Sequence, residues 1–275
     1  MKTCDALAQG AEVIGLREAK ILLAHVTGQS VSEIVLHRED AVSADDVAAY
    51  IDMVRRRKDG EPLQYILGEW EFMGVPILTD ARALIPRPET ELLVEEALRY
   101  MGELCENGRI ADVCTGSGCI AIAMAQRSNA EIIGADISAD ALSLARENAK
   151  KNRVDGRITF VKTDLLDGIS GEFDAIISNP PYIPSREMET LSVAVHGYEP
   201  HLALDGGPDG CEIYRRLIPQ AMNSLRPGGV LFLEIGPPDV EEILIRTGFK
   251  NVKLLRDYAN LPRIIIGEKP ECLTN

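Results

Sequence analysis

The sequence contains no long uninterrupted hydrophobic segment. Of its 275 residues, 45% are hydrophobic, but no apolar run approaches the roughly 18 residues that a membrane-spanning helix needs. The opening MKTCDALAQG has a lysine with no apolar segment behind it, so we expect no secretory signal. Six cysteines without dense spacing are typical of reduced thiols. We therefore expect a cytoplasmic protein that makes no membrane contact.

Basic and aromatic residues are also scarce. There are 29 Lys and Arg against 43 Asp and Glu, which gives a net charge of −14, and aromatic residues make up 5% of the chain. Proteins that grip nucleic acid through its phosphates usually carry a basic face. The one basic run, RRRK at residues 55–58, lies between Asp52 and Asp59, as on a solvated helix face. We expect no direct nucleic-acid substrate.

Histidine is rare as well, with four residues. Cys114 and Cys119 are close together in the sequence, but no histidine lies near them at the spacing of a metal site. We interpret both thiols as small packing residues and expect no metal.

Three regions differ in their patterns. We interpret residues 1–60 as a small all-helical domain, because apolar residues recur there at the helical period, as in Ala19, Leu22, Leu23 and Val26. In residues 61–84 aromatic and β-branched residues stand among glycines, which predicts a β-hairpin linker. In residues 85–275 apolar strands such as RIADV, AEIIGAD and FDAIIS alternate with helical segments. This alternation predicts an α/β domain with a Rossmann-like parallel sheet covered on both faces.

The segment DVCTGSGCIAIA joins the first strand of this domain to its helix. Gly116 and Gly118 allow a close approach of backbone to a ligand, and Asp136 ends the second strand, where a carboxylate can hold ribose hydroxyls. The third strand is followed by Asp164 and Leu165, which could contact an adenine amine and flank its ring. The pattern fits G-x-G-x-x-A, which does not separate a nicotinamide enzyme or a non-catalytic nucleotide-binding module from an S-adenosylmethionine enzyme.

The segment SNPPYIP follows the fourth strand, at the edge where open α/β sheets bind ligands. The side-chain oxygen of Asn179 and the backbone carbonyl of Pro180 could accept both hydrogens of a planar NH₂ group. Pro180 and Pro181 would keep this geometry rigid, and Tyr182 could stack on the group. An amide nitrogen is a poor nucleophile, so two acceptors and close placement suit methyl transfer to it. A dehydrogenase has no use for this segment.

Several long stretches resemble the release-factor glutamine methyltransferase family (PrmC/HemK), among class I methyltransferases. They are ILLAHVTG, EPLQYILGEWEFMG, IPRPETELLVE, SNPPYIP, YEPHLALDGGPDGCEIYRRL and LRPGGVLFLEIG, and they cover nearly the whole chain. The resemblance implies a seven-stranded sheet that closes with an antiparallel final strand. It also implies S-adenosylmethionine as cofactor, and as substrate the glutamine of the Gly-Gly-Gln motif in class I peptide chain release factors. The N-terminal helices and the hairpin would then dock the release factor.

The resemblance assigns roles to particular residues. It implies that Thr115, Gly116 and Gly118 face the cofactor, Asp136 its ribose and Leu165 its adenine. We expect Cys114, Ser117, Asp164 and Asn179 to bind the cofactor as well. As substrate-binding residues it implies Asn179, Pro180, Pro181 and Tyr182, with Asn179, Pro180 and Tyr182 taking part in catalysis. Cys114 departs from the family's usual glycine, and a cysteine reaches positive φ less easily. Because NPPY also occurs in adenine-N6 nucleic-acid methyltransferases, that activity remains an alternative.

Overall fold

The computed structural model describes residues 1–104, 107–236, 239–257 and 259–271. Its helices are α1 (Thr3–Ile14), α2 (Leu16–Thr27), α3 (Val31–Leu36), α4 (Ala44–Lys58), α5 (Leu63–Leu67), α6 (Pro88–Leu104), α7 (Cys119–Arg127), α8 (Ala139–Lys151), α9 (Val193–His196), α10 (Glu212–Ser224) and α11 (Val240–Thr247). Its strands are β1 (Glu69–Phe72), β2 (Val75–Leu78), β3 (Arg109–Val113), β4 (Glu131–Asp136), β5 (Ile158–Lys162), β6 (Phe173–Ser178), β7 (Leu225–Glu234), β8 (Lys250–Arg256) and β9 (Pro262–Glu268). The chain forms two compact units: Met1–Glu69 with Ser192–Tyr198, and Trp70–Leu191 with Glu199–Asn275.

The first unit is helical, and its helix starts follow local sequence signals. Ser30 and Glu33 form a reciprocal capping box at the start of α3, and the Ser43 hydroxyl accepts the Asp46 N–H at the start of α4. Its buried core includes Ala6, Ala19, Leu22, Leu23, Ile34 and Tyr50. The helical period of residues 1–60 therefore predicts this part of the fold correctly. Among the described helices of the whole chain, none is both long and apolar enough to span a membrane.

The basic run at residues 55–58 lies at the end of α4, where it suits the helix dipole. Its arginines are paired with acids of the same unit. Arg55 contacts Asp52, Arg56 contacts Glu61, and Arg57 contacts Glu18. The run is thus largely neutralised, which agrees with its interpretation as a solvated helix face.

Residues 61–84 differ in part from the predicted hairpin. Residues Leu63–Leu67 form α5 rather than a strand, and Gly68 ends this helix in the left-handed conformation. Strands β1 and β2 form a two-stranded sheet, and the two residues between them, Met73 and Gly74, both have positive φ. Two such residues form a type I′ turn, which matches the twist of a hairpin. Aromatic and β-branched residues alone did not distinguish a short helix from a strand here.

The second unit contains the predicted Rossmann-like sheet. Within the described residues seven strands pair in the order β5-β4-β3-β6-β7-β9-β8. The pairs from β5 to β7 are parallel, whereas β9 is antiparallel to both β7 and β8. Helices α6, α7 and α8 pack on one face and α10 and α11 on the other. Adjacent residues of β6 illustrate the double burial, since Ile177 faces the first layer and Ile176 the second.

The described cysteines, Cys4, Cys114, Cys119 and Cys211, are free thiols. Cys105 and Cys272 lie outside the described residues.

We expect Tyr50→Phe to stabilise the helical unit. The hydroxyl of Tyr50 is buried without a hydrogen-bond partner among the described residues, and burial raises its pKa to about 12. A buried hydroxyl without a partner carries an uncompensated desolvation cost, so its removal should increase the free energy of unfolding by about 1 kcal/mol in urea denaturation. Tyr198→Phe, at an exposed hydroxyl, is the matched control and should change it by less than about 0.5 kcal/mol. A destabilised Tyr50→Phe would mean that the hydroxyl has a partner.

Candidate active site

The candidate site lies where the strand order reverses. Strand β3 pairs with β4 on one side and with β6 on the other, so the carboxyl ends of all three strands meet at one edge of the sheet. Val113 is in register with Ser178 of β6 and with Ala135 of β4. Cys114 and Asn179 are therefore neighbours, one residue beyond the paired strands. Open α/β sheets bind their ligands in the crevice at this position.

A cavity of about 220 Å³ occupies this edge. The residues that line it include residues 82–87, Thr90, residues 114–117, residues 135–138, Asp164, Leu165, Asn179, Pro181, Pro200, Leu202, Ala203, Asp205, Ile213 and Arg216. The cavity thus brings together most of the site residues named from the sequence: Cys114, Thr115, Gly116, Ser117, Asp136, Asp164, Leu165, Asn179 and Pro181. Gly118, Pro180 and Tyr182 are described but do not line it.

Three residues of the glycine loop after β3 adopt the left-handed backbone conformation. The φ angles of Cys114, Gly116 and Gly118 are 60°, 54° and 80°. A side chain at Gly116 would come no closer than 4.0 Å to the nearest atom, so the backbone there lies open to the cavity. Gly118 is required for packing, because a Cβ would lie 3.0 Å from Ala145 of α8. Cys114 holds a conformation that costs a non-glycine residue about 1–2 kcal/mol.

A buried carboxylate organises the start of α7. Gly118 at the N-cap has no side chain that could accept a hydrogen bond from a helix N–H. Asp112 of β3 accepts this hydrogen bond instead. Its Oδ2 accepts the Ala121 N–H at 3.0 Å and the Thr115 hydroxyl at 2.5 Å, while its Oδ1 has no partner among the described residues. Burial raises the pKa of Asp112 to about 7. Asp112 was not among the site residues predicted from the sequence, although a charged residue within an apolar strand is a usable signal.

The carboxylate of Asp136, at the end of β4, is held by the backbone. Its Oδ2 accepts the Gly116 N–H and its Oδ1 accepts the Ser138 N–H, each at 2.9 Å. Burial raises its pKa. Each carboxylate oxygen can accept a second hydrogen bond, so Asp136 can also hold hydroxyl groups of a ligand in the cavity.

Asp164 and Leu165 form another wall. The Asp164 carboxylate contacts Arg216 of α10, with Oδ2 2.5 Å from Nη2. Leu165 has a φ of 55° and is buried. The ion pair with Arg216 was not predicted, because nothing in the sequence relates the third strand to α10.

The NPPY segment is held by a strap, residues 199–207, which includes the 3₁₀ helix His201–Ala203. Ile183 donates its N–H to Leu204 and accepts the Gly206 N–H, at 3.0 and 2.8 Å. Gly206 is required, because a Cβ there would lie 2.7 Å from the Cα of Tyr182. At the start of the strap, the buried Glu199 accepts the Ile85 N–H at 3.1 Å and pairs with Arg87. The strap therefore joins the NPPY segment to the loop before α6.

The side chain of Asn179 is oriented by residues from two other elements. Its Nδ2 donates to the hydroxyl of Thr90 in the first turn of α6, at 3.0 Å. The Thr90 hydroxyl donates in turn to Oε2 of Glu234 at the end of β7, at 2.6 Å. Within the described part of the chain, Oδ1 of Asn179 accepts no hydrogen bond, so this side chain presents an acceptor at the wall of the cavity. Neither Thr90 nor Glu234 was named as a site residue. The glutamate that ends the apolar strand VLFLE was the available signal.

Tyr182 lies beside this network. Its hydroxyl is 3.4 Å from Oε1 of Glu234, and its ring packs against Gly236, where a Cβ would come within 2.5 Å. Burial is the main cause that raises the pKa of Tyr182, and the negative charge of Glu234 is the second. Burial likewise raises the pKa of Glu234, to about 7.

Comparisons with known proteins agree with this geometry. A family model described as "PrmC N-terminal domain" matches residues 4–68, and one described as "Methyltransferase small domain" matches residues 88–197. The release factor glutamine methyltransferase of Chlorobaculum tepidum is 41% identical over 89% of this chain and 87% of its own. That of Clostridium acetobutylicum is 35% identical over 97% of this chain and 98% of its own. The chain belongs to the release factor glutamine methyltransferase family. The resemblance identified from the sequence is confirmed.

The solved structures support the fold of this family. A methyltransferase from Pyrococcus furiosus matches 72% of this chain and 91% of its own, with a TM-score of 0.53 and 18% identity. At that identity the likeness concerns the fold alone. The second unit thus has a Rossmann-like fold, as its sequence pattern predicts.

We expect the Asp112 carboxyl to make stability depend on pH. Its pKa is raised from 3.8 to about 7 in the folded protein, so the folded state binds more protons than the unfolded state between these values. Its contribution to the free energy of unfolding is therefore lost as the pH rises from about 4 to about 7. In urea denaturation at several pH values, Asp112→Asn should gain stability relative to the parent across this window.

The exposed Asp155→Asn controls for loss of a charge. Glu234 has a raised pKa in the same window but is present in both proteins, so its effect cancels from the difference. A difference between Asp112→Asn and the parent that does not change with pH would show that this carboxyl titrates normally.

Proposed function

We propose that this chain transfers a methyl group from S-adenosylmethionine to the side-chain amide nitrogen of the glutamine in the Gly-Gly-Gln motif of class I peptide chain release factors. The observation that carries the proposal is the orientation of Asn179, whose Nδ2 is tied to Thr90 so that Oδ1 is left to accept a hydrogen bond. An amide NH₂ is the kind of group that such an acceptor holds. The family relatives are named for release factor glutamine methylation, which agrees with this substrate.

The cavity residues fit this cofactor. Open backbone at Gly116 leaves room for close approach, the carboxylate of Asp136 can accept ribose hydroxyls, and Leu165 offers an apolar wall for the adenine. Asp164, although paired with Arg216, keeps Oδ1 as an acceptor for the adenine amine. S-adenosylmethionine, when bound, supplies a methyl group on a positively charged sulfur, which takes the electron pair of the broken carbon–sulfur bond as the amide nitrogen bonds to carbon.

In this proposal Asn179 Oδ1 and the Pro180 carbonyl accept the two amide hydrogens of the substrate. As the nitrogen forms its new bond it becomes positive, and these acceptors stabilise the developing charge. Solvent then takes one proton, so a strong base is not required. The prolines restrict the backbone of the segment and so keep the Pro180 carbonyl in place, next to Ile183, which the strap holds by two hydrogen bonds. Stacking of Tyr182 on the amide stays a prediction; in this structure its ring packs against Gly236.

We further propose that the helical domain, residues 1–60, and the hairpin linker, residues 61–84, dock the release factor, and that residues 85–275 carry the transfer. The helical unit exposes apolar side chains that its own core does not use, of which Leu36 is 79% exposed, with Leu16, Val35 and Ile51 also exposed. A docked protein partner would remove the apolar surface of these side chains from water, which favours binding. The alternative substrate, adenine in nucleic acid, is not favoured, because the chain is strongly acidic and the arginines of its basic run are paired.

The direct test is methyl transfer from labelled S-adenosylmethionine to a purified class I release factor. We expect incorporation into the intact factor and none into a factor in which the glutamine of Gly-Gly-Gln is replaced by alanine. Equal labelling of both factors would refute the proposed acceptor. Labelling of a DNA or RNA substrate instead would favour the nucleic-acid alternative.

We expect Asp136→Ala to weaken cofactor binding by about 1.5–3 kcal/mol, the range for hydrogen bonds to a charged group. The measurement is calorimetric titration with S-adenosylmethionine, and a parallel titration with NAD tests the oxidoreductase alternative. Because Asp136 also holds two backbone N–H groups, the variant's fold must be checked by circular dichroism. Unchanged affinity in a folded variant would remove Asp136 from the cofactor site.

We expect Asn179→Ala to lower kcat about a hundredfold or more while cofactor affinity stays nearly constant, by analogy with loss of an oriented oxyanion-hole group. The exposed Asn129→Ala, in the loop between α7 and β4, is the matched control and should retain the parent rate. If folded Asn179→Ala transfers methyl as fast as the parent, the NPPY segment serves only as a turn.

A further inference from the structure

The carboxamide of Asn179 presents two chemically opposite ends of nearly the same shape. Oδ1 accepts hydrogen bonds and Nδ2 donates them, so a half-turn of the group replaces an acceptor by a donor. The neighbouring prolines fix the backbone of the segment but do not control this rotation. Holding a substrate NH₂ group requires that Oδ1 face it. Something else in the protein must therefore select the orientation.

The hydroxyl of Thr90 can make this selection because it has a single proton. Thr90 Oγ1 lies 2.6 Å from Oε2 of Glu234, and an ionised carboxylate only accepts hydrogen bonds, so the proton points to Glu234. Thr90 Oγ1 then has only acceptor capacity left for Asn179, 3.0 Å away, and Nδ2 must be the end that faces it. Both Thr90 and Glu234 are almost fully buried, at 2% and 1% exposure, so bulk water does not compete for these bonds.

We propose that Glu234, acting through the Thr90 hydroxyl, is the positioning residue that turns the Asn179 carboxamide so that its oxygen faces the substrate. This inference rests on the proposed function for its catalytic meaning. Thr90 lines the cavity beside Asn179, but in this role its hydroxyl acts through Asn179, and Glu234 acts through Thr90.

The charge state of Glu234 determines whether the Thr90 hydroxyl donates its hydrogen bond to Glu234 or to Asn179. Titratable groups that face it include Glu89 of α6, Cys119 of α7, Tyr182 of the NPPY segment, Tyr214 of α10 and Arg263 of β9. Burial raises the pKa of Glu234 most, Glu89 raises it further, and Thr90, Arg263 and Tyr182 lower it, with a result of about 7. A protonated Glu234 can donate to Thr90, which frees the Thr90 proton to point at Asn179. In that state Oδ1 of Asn179 faces Thr90, and Nδ2, which cannot accept a hydrogen bond, faces the substrate.

The first test compares Thr90→Val with Thr90→Ser by their kcat for methyl transfer to a release factor. Valine keeps the shape of threonine but has no hydroxyl, so we expect kcat to fall about tenfold, a difference of about 1.4 kcal/mol. Serine keeps the hydroxyl and should stay within about twofold of the parent. Cofactor affinity should be unchanged in both variants.

A double-mutant cycle separates positioning from a general structural effect. If Thr90 acts only through Asn179, Thr90→Val should cost nothing further in an Asn179→Ala background. The pH dependence gives a second readout. The kcat of the parent should rise as the pH is raised through about 7, where Glu234 ionises, and Glu234→Gln should abolish this rise because its side chain does not titrate.

A measurement without substrate keeps the inference separate from the proposed function. In protein labelled with ¹⁵N-asparagine, the Nδ2 protons of Asn179, assigned by their loss in Asn179→Ala, should exchange slowly with solvent. Exchange should accelerate about tenfold or more in Thr90→Val, as expected when a protecting hydrogen bond is lost, but not in Thr90→Ser.

The outcomes distinguish the proposed function from the positioning role of Glu234 and Thr90. An absence of methyl transfer by the parent enzyme, together with the expected exchange pattern, would refute the proposed function and retain the positioning role. Parent-like kcat and exchange in Thr90→Val would overturn the positioning role. So would an equal loss from Thr90→Val in the parent and the Asn179→Ala backgrounds, since that result shows a structural effect.

Discussion

The parallel pairing of β3 with β6 is the interaction on which the site depends. Val113 and Ser178 are in register at the carboxyl ends of these strands, and the Ser178 hydroxyl also donates to the Val113 carbonyl at 2.6 Å. The glycine loop and the NPPY segment each begin one residue later. A shift of this register by one residue would turn the side chains of β6 to the opposite faces of the sheet. It would also separate Asn179 from Cys114, and the cavity would lose one of its walls.

Two buried carboxylates then give the loops at this edge their internal order. Asp112 supplies the helix cap that Gly118 cannot, and Glu234 accepts a hydrogen bond from the Thr90 hydroxyl. Burial of a carboxylate is unfavourable unless hydrogen bonds compensate for the lost water. The raised pKa of each group, about 7, is the sign that compensation is incomplete. Asp112 orients the start of α7 and Glu234 orients the Thr90 hydroxyl, and burial of both groups lowers the stability of the fold. Groups with perturbed pKa values are typical of the surroundings of a reaction centre.

The strap at residues 199–207 connects the remaining walls. Its backbone hydrogen bonds to Ile183 and the pairing of Glu199 with Arg87 bring the NPPY segment and the loop before α6 to the same cavity. Close approach is possible only because Gly206 has no side chain.

The sequence by itself determined the local features: the helical period of the first unit, the alternation that predicts a parallel sheet, the glycine loop, and a rigid proline turn after the fourth strand. Each of these features depends on residues that are close together in the sequence, because backbone sterics and side-chain periodicity are local properties. The tertiary structure decided the partners of Asn179, because Thr90 is 89 residues away from it and Glu234 lies 144 residues from Thr90. It also decided that Arg216 pairs with Asp164 and that Tyr182 packs against Gly236. Such contacts between distant residues follow from strand order and helix packing, which no local pattern encodes.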